Sequence, residues 1–540
     1  MATIFIRQLE NRYITPLKNC SNITNLKKIH AHIIKLSLSQ SNFLVTKMID
    51  SCDNISHIGY ATSLFQQLIH PNIFSYNAII RTHAHNRHHS LAITFFIQML
   101  ARSSKSVFPD KFTFPFVIKS CAGIMCGSLG IQVHGLVFKF GVDSGNITGN
   151  ALIDMYTKCG DLNLINACKV FEEMGHRDVI SWNSLIFGYV RLGQMKSARE
   201  LFDEMPVRTI VSWTTMVTGY ARAGCYAEAL GVFREMQMVG IDPDEISIIA
   251  VLPACAHLGA LEVGKWIHMY ADKNGFLQKS EICNALVEMY AKCGCIDEAW
   301  SLFDQLVEKD VISWSTMIGG LANHGKGYAA IQLFEEMRKV RVAPNEITFL
   351  GVLLACSHAG LWDEGLKYFD VMREDYGMEP EIEHYGCLVD LLGRSGRLGQ
   401  ALDTILKMSI KPDSRIWNSL LSSCRIHRNL EIAIIAMQQL MELEPEESGN
   451  YVLLANIYAE LGMWENVSSI RKLIRNKRIK KTPGSSSIEV SNVVQEFVSA
   501  DDSKPFSQEV FRILEELALH QTKTSDLMEL VEENADTSSL

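Results

Sequence analysis

Between Val311 and Asn345, apolar residues fall on two helical stripes with a break between them. Trp314, Met317, Ile318 and Leu321 recur three and four apart after Ser313, and that stripe ends near Gly325. Tyr328, Ile331, Leu333, Phe334 and Met337 form the second stripe, closed by Val342-Ala-Pro344-Asn345, where proline forbids further helix. The spacing predicts a helical hairpin. Ala329 and Ala330 are small where the paired helices approach, and Phe334 and Met337 fill space against the next unit. Ile210 to Asp244 has the same grammar, with Ala229, Phe233, Met236 and a terminal Asp242-Pro-Asp244.

The hairpin recurs. Ile180-Ser-Trp182-Asn183 returns as Val211-Ser-Trp213-Thr214 and Ile312-Ser-Trp314-Ser315, at steps of 31 and 101 residues. Asn150-Ala-Leu-Ile-Asp-Met-Tyr156 returns as Asn284-Ala-Leu-Val-Glu-Met-Tyr290 after 134, and the cysteines Cys121, Cys255 and Cys356 step by 134 and then 101. One set of unit lengths, 31, 33 and 35, explains every interval. Such a period marks a solenoid, in which no unit can bury its apolar face without its neighbours. The expected fold class is all-α: a superhelix of helix-turn-helix units whose first helices line an inner groove.

Bulk properties narrow the chemistry. A hydrophobic fraction of 47% and 13 prolines in 540 residues describe an ordered chain. No apolar run is long enough to span a bilayer, so no membrane partner is expected. The fourteen cysteines include no Cys-x-x-Cys pair, and they read as small packing residues in a reducing compartment. The histidines at His30/His32 and His83/His85/His88/His89 have a structural reading, so neither metal nor cofactor is expected. A net charge of −9 counts against general affinity for nucleic acid, though not against a basic groove on an acidic body. Residues 1–14, with Arg7 and Arg12 against Glu10, fit either a short targeting segment or a terminal helix on the array.

The idioms at 150–160 (Asn-Ala-Leu-Ile-Asp-Met-Tyr-x-Lys-Cys-Gly), 201–206 (Leu-Phe-Asp-Glu-Met-Pro) and 383–394 (Glu-His-Tyr-Gly-Cys-Leu-Val-Asp-Leu-Leu-Gly-Arg) resemble the pentatricopeptide repeat proteins. The likeness is to the plant organellar subclass with alternating repeat lengths (the PLS subfamily, E/E+ subgroup), and it implies a right-handed superhelix. It places units at about 42–72, 73–110, 111–145, 146–178, 179–209, 210–244, 245–279, 280–310, 311–345, 346–381 and 382–413, within an array spanning 15–413.

In that family one unit reads one RNA base through its fifth and last residues, and aliphatic second residues sandwich the base. The resemblance therefore implies Thr46 with Asn72 for A, Asn77 with Asp110 for U, and Asn150 with Asp178 for U. Asn183, ending on Thr209, leans to pyrimidine. Thr214 with Asp244 implies G, Asn284 with Asp310 U, and Ser315 with Asn345 A. Phe74, Ile147, Ile180, Val211 and Ile312 are the sandwiching residues; Glu281 breaks their pattern. Pro115, Ile249 and Leu350 make poor readers, and Gly386 is undecided. The RNA so implied is A-U-n-U-Y-G-n-U-A-n-n, with the edited cytidine four nucleotides beyond the base facing the unit at 382. The competing reading of the polar residues is helix capping.

Segments 414–447, 448–481 and 482–520 resemble the E1, E2 and E+ extensions of the editing branch, although Ser485–Ser487 replace its usual Cys and Trp. Seven of the eleven residues from Arg471 to Lys481 are basic, a solvated helix end or an RNA-backbone contact. Residues 521–540 form an acidic tail, read as disordered or as a short contact helix. Base deamination needs His-x-Glu and Cys-x-x-Cys, and neither spacing occurs. The expectation is a non-enzymatic, sequence-specific binder of single-stranded organellar RNA for C-to-U editing. Its implied partners are a deaminase-bearing relative in trans and small organellar editing factors, in the mitochondrion rather than the chloroplast. RNA stabilisation or splicing, and a tetratricopeptide-like peptide scaffold, are the alternatives.

Overall fold

The computed structural model describes residues 2–102, 107–142, 145–160, 164–476, 485–490 and 493–498, with positions 509, 512–514 and 516. Helical hairpins follow one another along it. The first helices run Asn42–Asn54, Ile73–His85, Phe114–Gly123, Asn146–Lys158, Val179–Arg191, Ile210–Arg222, Glu245–Leu258, Ser280–Lys292, Val311–Asn323, Glu346–Ala359 and Ile382–Arg394. The same rhythm continues in Ser414–Ile426 and Ser448–Glu460. Contacts divide the chain into two compact units, 1–251 and 252–540. Within each, a first helix packs on the first helix of the next hairpin and on its own second helix.

Local chemistry sets the helix ends. Asp310, not Ser313, caps Val311–Asn323: its carboxylate accepts the Ser313 N–H at 2.8 Å. Val311 and Ile312 precede the buried stripe, so the apolar pattern alone starts this helix too late. After Asn323 the chain leaves through Gly325 at φ +68°, a left-handed position that costs glycine nothing. The unit at 111 departs from the expected register, because its helix starts at Phe114. Phe112 and Thr113 instead turn on the Asp110 carboxylate, at 3.0 Å each. This puts Pro115 in the first turn, where its missing N–H is harmless.

Aromatic packing explains the recurring tryptophan. Trp182, Trp213 and Trp314 each meet a phenylalanine of the preceding second helix edge-on, with centroids 4.8 Å from Phe171, 4.7 Å from Phe202 and 5.2 Å from Phe303. Arg177, Arg208 and Lys309 lie over those same phenylalanine rings at 4.9, 4.9 and 5.1 Å. Phe334 and Met337 are fully buried as expected. One expectation fails in the 311 unit, where Tyr328 is exposed. Ala330 is fully buried as expected, and Gly327 makes a further tight approach, where a Cβ would come within 2.6 Å of the Ala355 carbonyl oxygen on the following first helix. Helix-to-helix distance is limited by backbone here, so only the residue lacking a side chain fits.

All fourteen cysteines are free; burial pushes the Cys121 and Cys356 thiols up to about 12. No group of His, Cys, Asp and Glu among the described residues could hold a metal ion, and no described helix is long and apolar enough to cross a membrane. His30 bonds the Tyr60 hydroxyl at 2.7 Å, and buried His83 lies 3.1 Å from the Thr62 hydroxyl. Ala2–Asn11 is helical, and Leu9 packs against the core. The all-α expectation is met throughout the array but needs one addition. Ser485–Val490 and Val493–Val498 pair as an antiparallel β-hairpin, with Ile488 opposite Gln495. The Val, Ile and Phe residues there suit a strand. The basic run is described only as far as Asn476, and the acidic tail lies outside the described residues.

Candidate nucleic-acid interface

The last residue of most units caps the following first helix; Gly145 and Lys279 do not. Asn72, Asp178, Asp244, Asp310 and Asn345 accept N–H groups from Ser75, Ser181, Ser247, Ser313 and Thr348 at 2.8–3.0 Å. Asp110 accepts from Thr113 in the same manner, and Thr209 forms a capping box with Ser212. Capping does not exhaust these groups. Asn150 Nδ2 also donates to both oxygens of Asp178, at 3.0 and 3.1 Å. Asn77 reaches Asp110 at 3.0 Å, and Asn284 reaches Asp310 at 3.4 Å. Thus the fifth residue of one unit and the last residue of the same unit meet across the start of the next helix. Burial alone would raise the carboxyls of Asp178 and Asp310. Hydrogen bonds from the neighbouring serine and asparagine outweigh it and hold both below the ordinary carboxylate value.

A carboxylate only accepts, so it fixes each asparagine with its NH2 inward and its carbonyl elsewhere. The Oδ1 atoms of Asn150 and Asn284 are buried and have no partner, and so is that of Asn183. Thr214 Oγ1 is likewise unpartnered. The remaining fifth residues are spoken for. Thr113 donates its hydroxyl to Asn77 Oδ1 at 2.6 Å, and Thr46 lies 3.1 Å from Ser75 Oγ, which links it to Asn72. Ser315 is held by the Val311 carbonyl, the Thr348 hydroxyl and Asn345 at 2.7, 2.6 and 3.4 Å.

Beside these polar groups stand apolar side chains that the fold leaves in solvent. Phe74, Ile147, Ile180, Val211 and Ile312 are between 56% and 71% exposed, although aliphatic residues on a helix normally face the core. Phe43, Phe112, Ile246 and Ile347 share the second position and are also exposed. They were missed in the expected set, yet the unit register alone identifies them. Between Ile312 and Ile347 lies a cavity of about 790 Å³, lined also by Ser315, Thr316, Asn323 and Asn345.

A second feature was not anticipated. The first helices end on Lys158, Arg191, Arg222, Lys292 and Arg394, each the thirteenth residue of its unit. His85, His257 and His358 occupy that position elsewhere. Eight residues of rise set this cationic row about 12 Å from the fifth residues. Asp154, Glu288 and Asp390 hold Lys158, Lys292 and Arg394 at 2.8 Å. Within residues 146–251, Lys158, Arg191 and Arg222 thus fall on three successive first helices, with Asp154 offsetting the charge of Lys158.

Capped helical hairpins in tandem, several with a polar fifth–last pair and most with an exposed apolar second residue, define a helical-repeat protein with a periodic surface. Family models match this chain as a PPR repeat at 74–104, 180–210, 281–311 and 347–376, as the PPR repeat family at 208–257 and 309–358, and as an E motif at 427–489. Pentatricopeptide repeat-containing protein At2g20540 of Arabidopsis thaliana is 57% identical over 521 residues, covering 96% of this chain and 97% of that protein. At5g56310, with the same description and source, is 42% identical over 94% of this chain and 96% of its own. The chain belongs to the pentatricopeptide repeat family, in its E-motif-bearing, PLS-type branch. Among solved structures it is similar to the crystal structure of the pentatricopeptide repeat protein PPR10 from maize, at 16% identity and a TM-score of 0.49 over 83% of this chain and 75% of that one.

Proposed function

We propose that the protein binds a single-stranded RNA in register along its first helices and selects one cytidine of an organellar transcript for conversion to uridine. The observation that carries the reading is the set of unsatisfied carbonyls on Asn150, Asn183 and Asn284, on helices that also bear the exposed Ile147 and Ile180. A splayed nucleobase supplies what such a site lacks: a donor on its pairing edge and a flat face for the apolar neighbours. Uracil N3–H suits an asparagine whose NH2 is already tied to aspartate, which supports U opposite Asn150–Asp178 and Asn284–Asp310. The cationic helix ends then follow the phosphates. On this reading the protein is not an enzyme. A deaminase-bearing relative supplies the chemistry in trans, recruited through residues 414–500 and assisted by small organellar editing factors, in the mitochondrion.

Sequencing organellar transcripts with and without the gene tests this. One C-to-U site should disappear while transcript ends and splicing stay normal. Altered ends or splicing with every edit intact would overturn the editing role, and a plastid-imported fluorescent fusion would overturn the compartment.

A further inference from the structure

The thirteen-residue first helix does not stop where the array does. Ser414–Ile426 begins on an aspartate cap, Asp413, whose carboxylate accepts the Ile416 N–H at 3.1 Å. It packs against Ile382–Arg394 on one side and Ser448–Glu460 on the other, as the array's first helices pack on one another. Its fifth residue is Asn418. Four asparagine carbonyl oxygens among the described residues are buried without a partner; three belong to Asn150, Asn183 and Asn284, and the fourth is Asn418 Oδ1. The neighbouring Ser419 Oγ is also buried and unpartnered. Coincidence is a poor account of one atom type left unsatisfied at one helical position, because a buried orphan acceptor costs stability wherever it occurs.

We infer that the hairpin after the array is a further nucleobase site, in which Asn418 meets the pairing edge of the base and Arg415 its face. The inference rests on the RNA-binding reading above. Arg415 takes the second position, where the array has aliphatic residues, and its side chain is 70% exposed. It is steadied by Asp413 at 2.6 Å and Glu383 at 3.4 Å. A guanidinium plane stacks on a base as an aliphatic side chain packs on it, and adds charge beside the phosphate. The unit's last residue, Glu447, accepts the Gly449 N–H at 3.3 Å rather than an Asn418 amide hydrogen. No carboxylate therefore fixes the Asn418 amide, which is left to turn its donor or its acceptor to a base, whereas Asn150 has its NH2 committed to Asp178. The site extends the footprint by one nucleotide beyond the base facing 382–413, towards the cytidine.

The test uses the full chain and an RNA selected by it from a randomised pool. In that RNA the nucleotide of interest is the third after the one facing 311–345. Making it abasic should weaken binding about tenfold, the scale of one base contact. The same abasic RNA and its intact parent should bind Asn418→Ala with equal affinity. An abasic nucleotide opposite Asn284 should cost both proteins the same, which shows that the variant retains its fold. Arg415→Ala, altered at an exposed side chain, should shrink the same penalty and serves if Asn418→Ala disturbs packing. No penalty in the natural protein, or an undiminished one in both variants, overturns this inference alone. Failure to select any RNA overturns the RNA-binding reading and this one together.

Discussion

The Asp178 carboxylate serves two masters, the N–H groups opening one helix and the amide of Asn150 on the helix before it. Its folded-state pKa lies below the ordinary value, so the stability it contributes is present above about pH 4 and lost as pH falls through the depressed value. Asp178→Asn keeps a side chain that can cap but removes the charge. The urea midpoint of the variant should lie below that of the natural protein at pH 7, and the gap should close as pH drops below about 4. A gap independent of pH would show that the charge contributes nothing. Thr214 offers a second residue-scale test. With Asp244 kept, Thr214→Asn supplies the amide seen at Asn150 and should move one preferred base from G towards U. Binding of the original RNA should weaken by on the order of 1–3 kcal/mol in a titration; unchanged affinity for both RNAs would remove Thr214 from the readers.

At the scale of one helix, the core-packing residues and the exposed apolar residue lie on opposite faces. On Val311–Asn323 the inward side holds Trp314, Met317 and Ile318, all buried, whereas Ile312 faces outward at 56% exposure. Ile312→Ser should therefore leave the melting temperature nearly unchanged, within about 0.5 kcal/mol of stability. RNA binding should nevertheless weaken by on the order of 1 kcal/mol, because the base is deprived of an apolar neighbour. A large loss of stability would instead mark Ile312 as a packing residue. The hairpin also shows why a helix-level pattern misleads at its ends. Most second-position residues are apolar and sit in the helix, yet they lie outside the stripe that the core selects.

Over the whole chain the charge argument changes sign. A formal charge of −9 predicts little affinity for phosphate, whereas the last turns of three successive first helices carry Lys158, Arg191 and Arg222, the cations that the proposed RNA path would use. Arg191 and Arg222, on neighbouring first helices, are exposed at this position. Replacing both with Gln should reduce the slope of log affinity against log salt by about 0.7 for each phosphate of a single strand that is no longer neutralised. Base preferences should persist, since cations at the phosphates position the RNA without specifying it. An unchanged slope would place the RNA backbone elsewhere.

The period of the hairpins was legible in the sequence because helical spacing is local physics, whereas the helix starts and the fifth and last positions followed from the resemblance to pentatricopeptide repeats, and nearly all first helices begin there. Tertiary structure decided which of those positions keep an unsatisfied atom. Asn77 and Asn150 occupy the same place in their units, yet Thr113 satisfies the carbonyl of one and nothing satisfies that of the other. Thr113 is the third residue of the following unit, and its hydroxyl reaches Asn77 as that of Thr348 reaches Ser315. Ser315 likewise spends its hydroxyl on Thr348 of the following unit. Those partners arrive from about one repeat further along the chain, so only the stacking of hairpins brings donor and acceptor together. The sequence sets the ruler; packing between neighbours determines which of its polar atoms stay without a partner.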